Sequence, residues 1–68
     1  MKDLTKKQFD ILEFINMFIL NHSESPTYQD IADEFKFTHT AARHHVDSLE
    51  RKGWVTVERR KHRGILPV

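Results

Sequence analysis

The chain has 68 residues and a mass of 8.1 kDa, which is room for one small domain over residues 1–68. Hydrophobic residues are 38% and charged residues 31%, with no cysteine and a net charge of +1; disulfide scaffolds, thiolate catalysis and cysteine-bound zinc are excluded, and a soluble cytoplasmic protein is expected. No run approaches the roughly 18–20 apolar residues of a membrane span, and the first apolar stretch is broken by Asp10, Glu13 and Asn16 and lacks a signal-peptide cleavage site.

The first predicted element is a helix from Leu4 to about Asn21, with Thr5 as its N-cap. Gln8, Ile11, Leu12, Ile15 and Ile19 recur at helical spacing and form one core-facing stripe. The connector His22–Pro26 is polar and ends in a proline that cannot continue a helix. Thr27-Tyr28-Gln29-Asp30 has the form of a capping box, with Asp30 as a short stand-in for Glu. It opens a second helix over Tyr28–Phe35 whose inner face is Ile31, Ala32 and Phe35. Lys36-Phe37 forms a tight turn. Thr38 then caps a third helix, about His39–Lys52, which Gly53 terminates; its inward stripe is Ala42, His45 or Val46, and Leu49. The period then changes to alternation: Trp54–Glu58 and Gly64–Leu66 read as two strands joined by Arg59–Arg63. A lone two-stranded hairpin is marginal, so it must pack on the helices. Three helices and a C-terminal hairpin make an α+β, mostly α fold, the winged helix-turn-helix.

The charge is unevenly placed. Residues 1–35 carry three basic against seven acidic side chains, a balance of −4, and residues 36–68 carry eight against three, a balance of +5. A polyanion would meet the C-terminal half. In this fold the third helix enters the major groove of duplex DNA and the second crosses the backbone. The outward side of the third helix offers Thr38, His39, Thr40, Ala41, Arg43, His44 and Asp47. Arg43 is the leading base reader, because its planar fork matches the two acceptors of guanine. Thr40 and His44 supply single hydrogen bonds, and Ala41 can touch a thymine methyl. The competing reading of Arg43 is a solvated pair with Asp47 at i+4, worth only about 0.2–0.5 kcal/mol. Four cations in Arg59-Arg60-Lys61-His62-Arg63 repel one another and give nothing to folding, which points to phosphate contact or minor-groove insertion; the alternative is a tip that only keeps edge strands soluble. Thr27, Tyr28, Gln29 and Lys36 are further phosphate donors, which position without specifying.

Five histidines raise the question of zinc. His44 and His45 point about 100° apart on a helix, and His39 precedes His44 by five residues rather than the three or four that align ligands. No metal or other cofactor is expected. No nucleophile–base spacing, glycine-rich loop or paired carboxylate suggests an enzyme.

Leu4-Thr5 with the Gln8–Ile15 helix, Pro26-Thr27 leading to Asp30-Ile31-Ala32, Ala41-Ala42 through His45, Arg51-Lys52-Gly53 and Arg63-Gly64-Ile65 together resemble the N-terminal DNA-binding domain of LexA-type repressors, over roughly residues 3–66. The resemblance implies operator binding, usually by a dimer on a palindrome. Departures accompany it. A self-cleaving protease domain follows this one in the family, whereas this sequence stops at Pro67-Val68, so cleavage-dependent release does not follow from the likeness. Thr40, Arg43 and His44 stand where the family reads its operator with an Asn and acidic residues, which implies a different operator. Lys36 replaces the family's turn glycine and is mildly strained if the turn stays left-handed.

Helix one carries a second apolar stripe, Phe9, Met17 and Leu20 with Phe14 at its border, opposite the core stripe; residues 17, 18 and 20 are polar in the family pattern. A helix apolar on two faces must bury both, and a self-complementary contact between two copies is one solution. The others are cover by the wing, the C-terminal strand or the 21–26 loop, or simple exposure. The expected function is thus a sequence-specific DNA-binding regulator, a repressor rather than an activator because nothing resembles an activation surface. The alternative is an interaction module that binds another protein through helix one or the wing.

Overall fold

Three threonines start the three helices by the same chemistry. Thr5, Thr27 and Thr38 each sit in extended backbone, and each hydroxyl accepts from the amide three residues on, that of Gln8, Asp30 and Ala41. Each bond satisfies an amide that the helix itself leaves without a partner. At the first two the bond is reciprocated: Thr5 N donates to Gln8 Oε1 at 3.1 Å and Thr27 N to Asp30 Oδ2 at 2.9 Å, closing two capping boxes. In the computed structural model, which describes residues 3–68, the resulting helices are α1 (Lys6–His22), α2 (Tyr28–Phe35) and α3 (His39–Arg51), followed by strands β1 (Val55–Val57) and β2 (Ile65–Pro67). This is a winged helix-turn-helix.

The limits of the elements differ from expectation by one or two residues, for local reasons. Helix one begins at Lys6 rather than Leu4 because Thr5 is its extended cap, leaving Leu4 to pack on the core from outside the helix. Helix three ends at Arg51; Lys52 is the C-cap, and Gly53 takes the left-handed conformation at φ 87°. Each strand has three residues, paired antiparallel as Val55–Pro67, Thr56–Leu66 and Val57–Ile65. Glu58 falls outside β1 because its carbonyl is taken by the Lys61 amide at 3.2 Å, which turns the chain.

One hydrophobic cluster holds these pieces together. Ile11 and Ile15 of α1, Ile31 and Ala32 of α2, Ala42, Val46 and Leu49 of α3, and Val55 and Ile65 of the hairpin are all buried. A fully buried aliphatic side chain contributes about 1.5–3 kcal/mol. Val46 occupies the inner position, while His45 lies at the edge of the core, its ring stacked 4.9 Å from that of Phe37. Beside the cluster, buried Gln8 donates to Ser48 Oγ at 2.9 Å and accepts from Lys52 Nζ at 2.6 Å. That polar link fixes α1 against the C-terminal half of α3.

Candidate nucleic-acid interface

Burying Ala42, Val46 and Leu49 turns the opposite side of α3 outward. Thr38, His39, Thr40, Arg43 and His44 are exposed, with Ala41 and Asp47 half-buried. Tyr28, at the start of α2, joins the two helices of the motif. The His39 ring meets it edge-on at 5.8 Å, and the Arg43 guanidinium lies 5.9 Å from the centre of its ring. Burial first, and then the Asp47 charge, raises the Tyr28 hydroxyl above its ordinary range, so it remains a neutral donor. No ion pair joins Arg43 to Asp47 among the described residues.

The wing faces the same space. A cleft of about 250 Å³ is lined by Tyr28 and Arg43 on the helical side and by Arg59, Lys61 and His62 on the wing side. Gly64 allows the wing its shape: a Cβ there would lie 2.1 Å from the carbonyl oxygen of Glu58, whose own amide donates to the Gly64 carbonyl at 2.9 Å. The Glu58 carboxylate then accepts from the Arg60 amide at 3.1 Å and folds the tip.

The four wing cations divide into two kinds. Arg60 and Lys61, with His62 between them and Arg63, are exposed and make no ion pair among the described residues. Arg59 instead grips Glu50 of α3 with both terminal nitrogens, at 2.7 and 3.0 Å. The Glu50 carboxyl is held below its usual range chiefly by that hydrogen bond, and the guanidinium is raised by it in turn. Arg63 reaches the other way. Its Nη1 donates to the Ser25 carbonyl at 2.9 Å and to Asp30 Oδ2 at 3.0 Å, and its Nε lies 3.5 Å from Glu24. Burial alone would raise the Asp30 carboxyl, but hydrogen bonds from the Thr27 amide and from Arg63 lower it overall. The expectation that this loop's charges give nothing to folding is therefore corrected for two of the four: the register of the hairpin brings acceptors on α2 and α3 within their reach.

The remaining candidates are distributed around this face and its edges. Thr27 is committed by both amide and hydroxyl to its capping box, and the exposed Gln29 donates to Asp33 at 2.8 Å. Lys36 is exposed and does adopt the left-handed conformation, φ 60° and ψ 40°. Among the described residues no group of three histidine or carboxylate side chains is placed to hold a metal ion. Nor is any of their helices long and apolar enough to cross a membrane.

Residues 1–64 match the LexA DNA binding domain family. The chain belongs to that family. It is 43% identical over 65 residues to a LexA repressor from Thermosipho melanesiensis and 42% identical to one from Thermosipho africanus, in each case over 96% of this chain and 33% of the relative. A LexA repressor from Leptospira interrogans is 38% identical over 96% of this chain and 32% of its own length. The chain thus spans about a third of these LexA proteins. Within the LexA frame, Glu50 and Glu58 are the residues that sequence reasoning passed over. Glu58, an acid beside a basic tip, carried a readable signal; Glu50 did not, because its partnership with Arg59 depends on how the hairpin folds back.

On α1, Phe9, Met17 and Leu20 are 50%, 48% and 73% exposed. Phe14 stands at the border of that face, where it and Met17 line one groove with Phe35. Its ring packs 5.7 Å from those of both Phe18 and Phe35, closing the seam between α1 and α2.

Proposed function

We propose that this chain binds double-stranded DNA sequence-specifically and acts as a transcriptional repressor. The observation that carries the proposal is the shared cleft: Arg43 on α3 and Lys61 and His62 of the exposed wing tip line one surface, and membership of the LexA DNA-binding family agrees with it. In this reading α3 lies in the major groove. Arg43 reads a base, with Thr40, His44 and Ala41 beside it and Thr38, His39 and Asp47 flanking. Arg60, Lys61 and His62 meet phosphate or the minor groove, while Tyr28, Gln29 and Lys36 meet the backbone at the near edge. The test is a salt titration of binding to duplexes selected from a random pool. Log affinity should fall linearly with log salt, with a slope of about −0.9 per phosphate contacted. Binding that ignores salt would instead favour the protein-interaction reading.

A second copy of the chain is the partner proposed for the exposed α1 face, since Phe9, Met17 and Leu20 remain 50%, 48% and 73% exposed. The selected duplexes would then be palindromic. Sedimentation of Met17→Glu and Leu20→Glu checks this: a wild-type dimer should become a monomer, and a monomeric wild type of unchanged mass in both variants ends the idea.

A further inference from the structure

The two bound wing arginines have a use that their distances define. Arg59 leaves the end of β1 and closes a two-toothed pair on Glu50, next to the C-terminus of α3, while a third contact runs from its Nη1 to the Val57 carbonyl at 3.3 Å. A fork-to-fork pair fixes direction as well as distance, which a single-contact pair does not. On the opposite flank, Arg63 ties the start of β2 to Asp30 through Oδ2, the same oxygen that accepts the Thr27 amide in the α2 capping box. Only the short stretch Lys52–Trp54 separates α3 from β1. The three tip residues 60–62 are thereby suspended between an anchor on α3 and an anchor on α2, the two helices that present Arg43 and Tyr28.

We propose that Arg59 is a positioning residue for DNA binding, which sets the bearing of the wing on α3 through Glu50 and does not itself bind phosphate; Arg63 performs the same service toward α2. The proposal rests on the DNA-binding reading above. Its physical basis is that moving Arg59 to a phosphate would leave the Glu50 carboxylate unpaired beside the cleft, where it repels the same polyanion. Paired, the two groups cancel, and the attractive charge of the wing falls to Arg60 and Lys61, with His62 when protonated.

The two roles of Arg59 predict opposite signs for Glu50→Gln. If Arg59 binds phosphate, removing a competing carboxylate strengthens duplex binding. If it positions the wing, Glu50→Gln weakens binding, by about two- to fivefold for a pair of this exposure. Arg59→Gln should weaken it by a similar factor, and the double variant should be no weaker than Arg59→Gln alone. The charge swap Glu50→Arg with Arg59→Glu should recover most of the wild-type affinity. Thermal melts establish that each variant is folded at the assay temperature; should the swap not fold, the cycle of the two Gln variants decides alone. Tighter binding by Glu50→Gln, together with a salt slope reduced by about 0.9 in Arg59→Gln, overturns the proposal. A wild type with no salt-dependent duplex binding is a different result and removes the DNA reading itself.

Discussion

Helix α3 and the wing line one cleft but are held there by different forces. Helix α3 is seated by the hydrophobic effect: Ala42, Val46 and Leu49 are fully buried, and its outward charge, Arg43, makes no ion pair among the described residues. The wing contributes Val55 and Ile65 to the core, yet beyond them it depends on backbone bonds around Glu58 and Gly64 and on ion pairs to Glu50 and Asp30. A core-seated element leaves its polar face at liberty to bind. A polar-seated one must divide its charges between holding itself and holding a ligand, so the number of cations in a loop overstates the number available to a partner.

That contrast breaks most readily at Arg43 and Gly64. Arg43→Ala should erase about 1–3 kcal/mol of discrimination between a selected duplex and a scrambled one, while thermal stability stays within about 0.5 kcal/mol, as for an ordinary surface change. Arg60→Ala should weaken both duplexes alike, since a phosphate contact carries no sequence information. Competition binding with the two duplexes separates these outcomes, and equal loss of discrimination in both variants would contradict the division of labour. Gly64→Ala acts on the wing's frame. Its Cβ would meet the Glu58 carbonyl at 2.1 Å, a backbone atom that cannot step aside. A loss of about 1–3 kcal/mol in unfolding free energy is expected from such overpacking, with weaker binding to every duplex. Denaturant unfolding and the same competition assay measure the two effects.

The legible parts of this molecule are those decided by neighbours in sequence. Thr5, Thr27 and Thr38 announced the helix starts, Gly53 the end of α3, and the spacing of Ile11, Ile15, Ala42, Val46 and Leu49 the core faces. The left-handed turn at Lys36 is legible only through the family likeness, which places a glycine at that position. Local patterns do not report which charges meet after folding. Glu50 and Arg59 are nine residues apart, Asp30 and Arg63 thirty-three, so neither pair has a periodic signature. Phe14 shows the same division: helical spacing puts it on the border of the exposed stripe, where it lines a groove with Met17, but its contact with Phe35 of another helix has no signature in the sequence.

The smallest expected effect tests the apolar side of the comparison through pH. His45 stacks on Phe37, and burial first, then the neighbouring His44 and Lys7 charges, lowers its pKa below the ordinary 6.5. The folded state therefore favours neutral imidazole, and between the lowered pKa and 6.5 the unfolded chain binds more protons than the folded one. Stability from this group is fully present above 6.5 and is lost as pH falls through that window. His39, His44 and His62 are exposed and lie outside that seam. Replacing His45 by Phe keeps a stacking ring but removes the proton site, so the unfolding free energy of His45→Phe should vary less between pH 7 and pH 5 than that of the wild type. Equal slopes in the two proteins would mean that the imidazole is as well solvated folded as unfolded, and that α3 is seated by Ala42, Val46 and Leu49 without help from its edge.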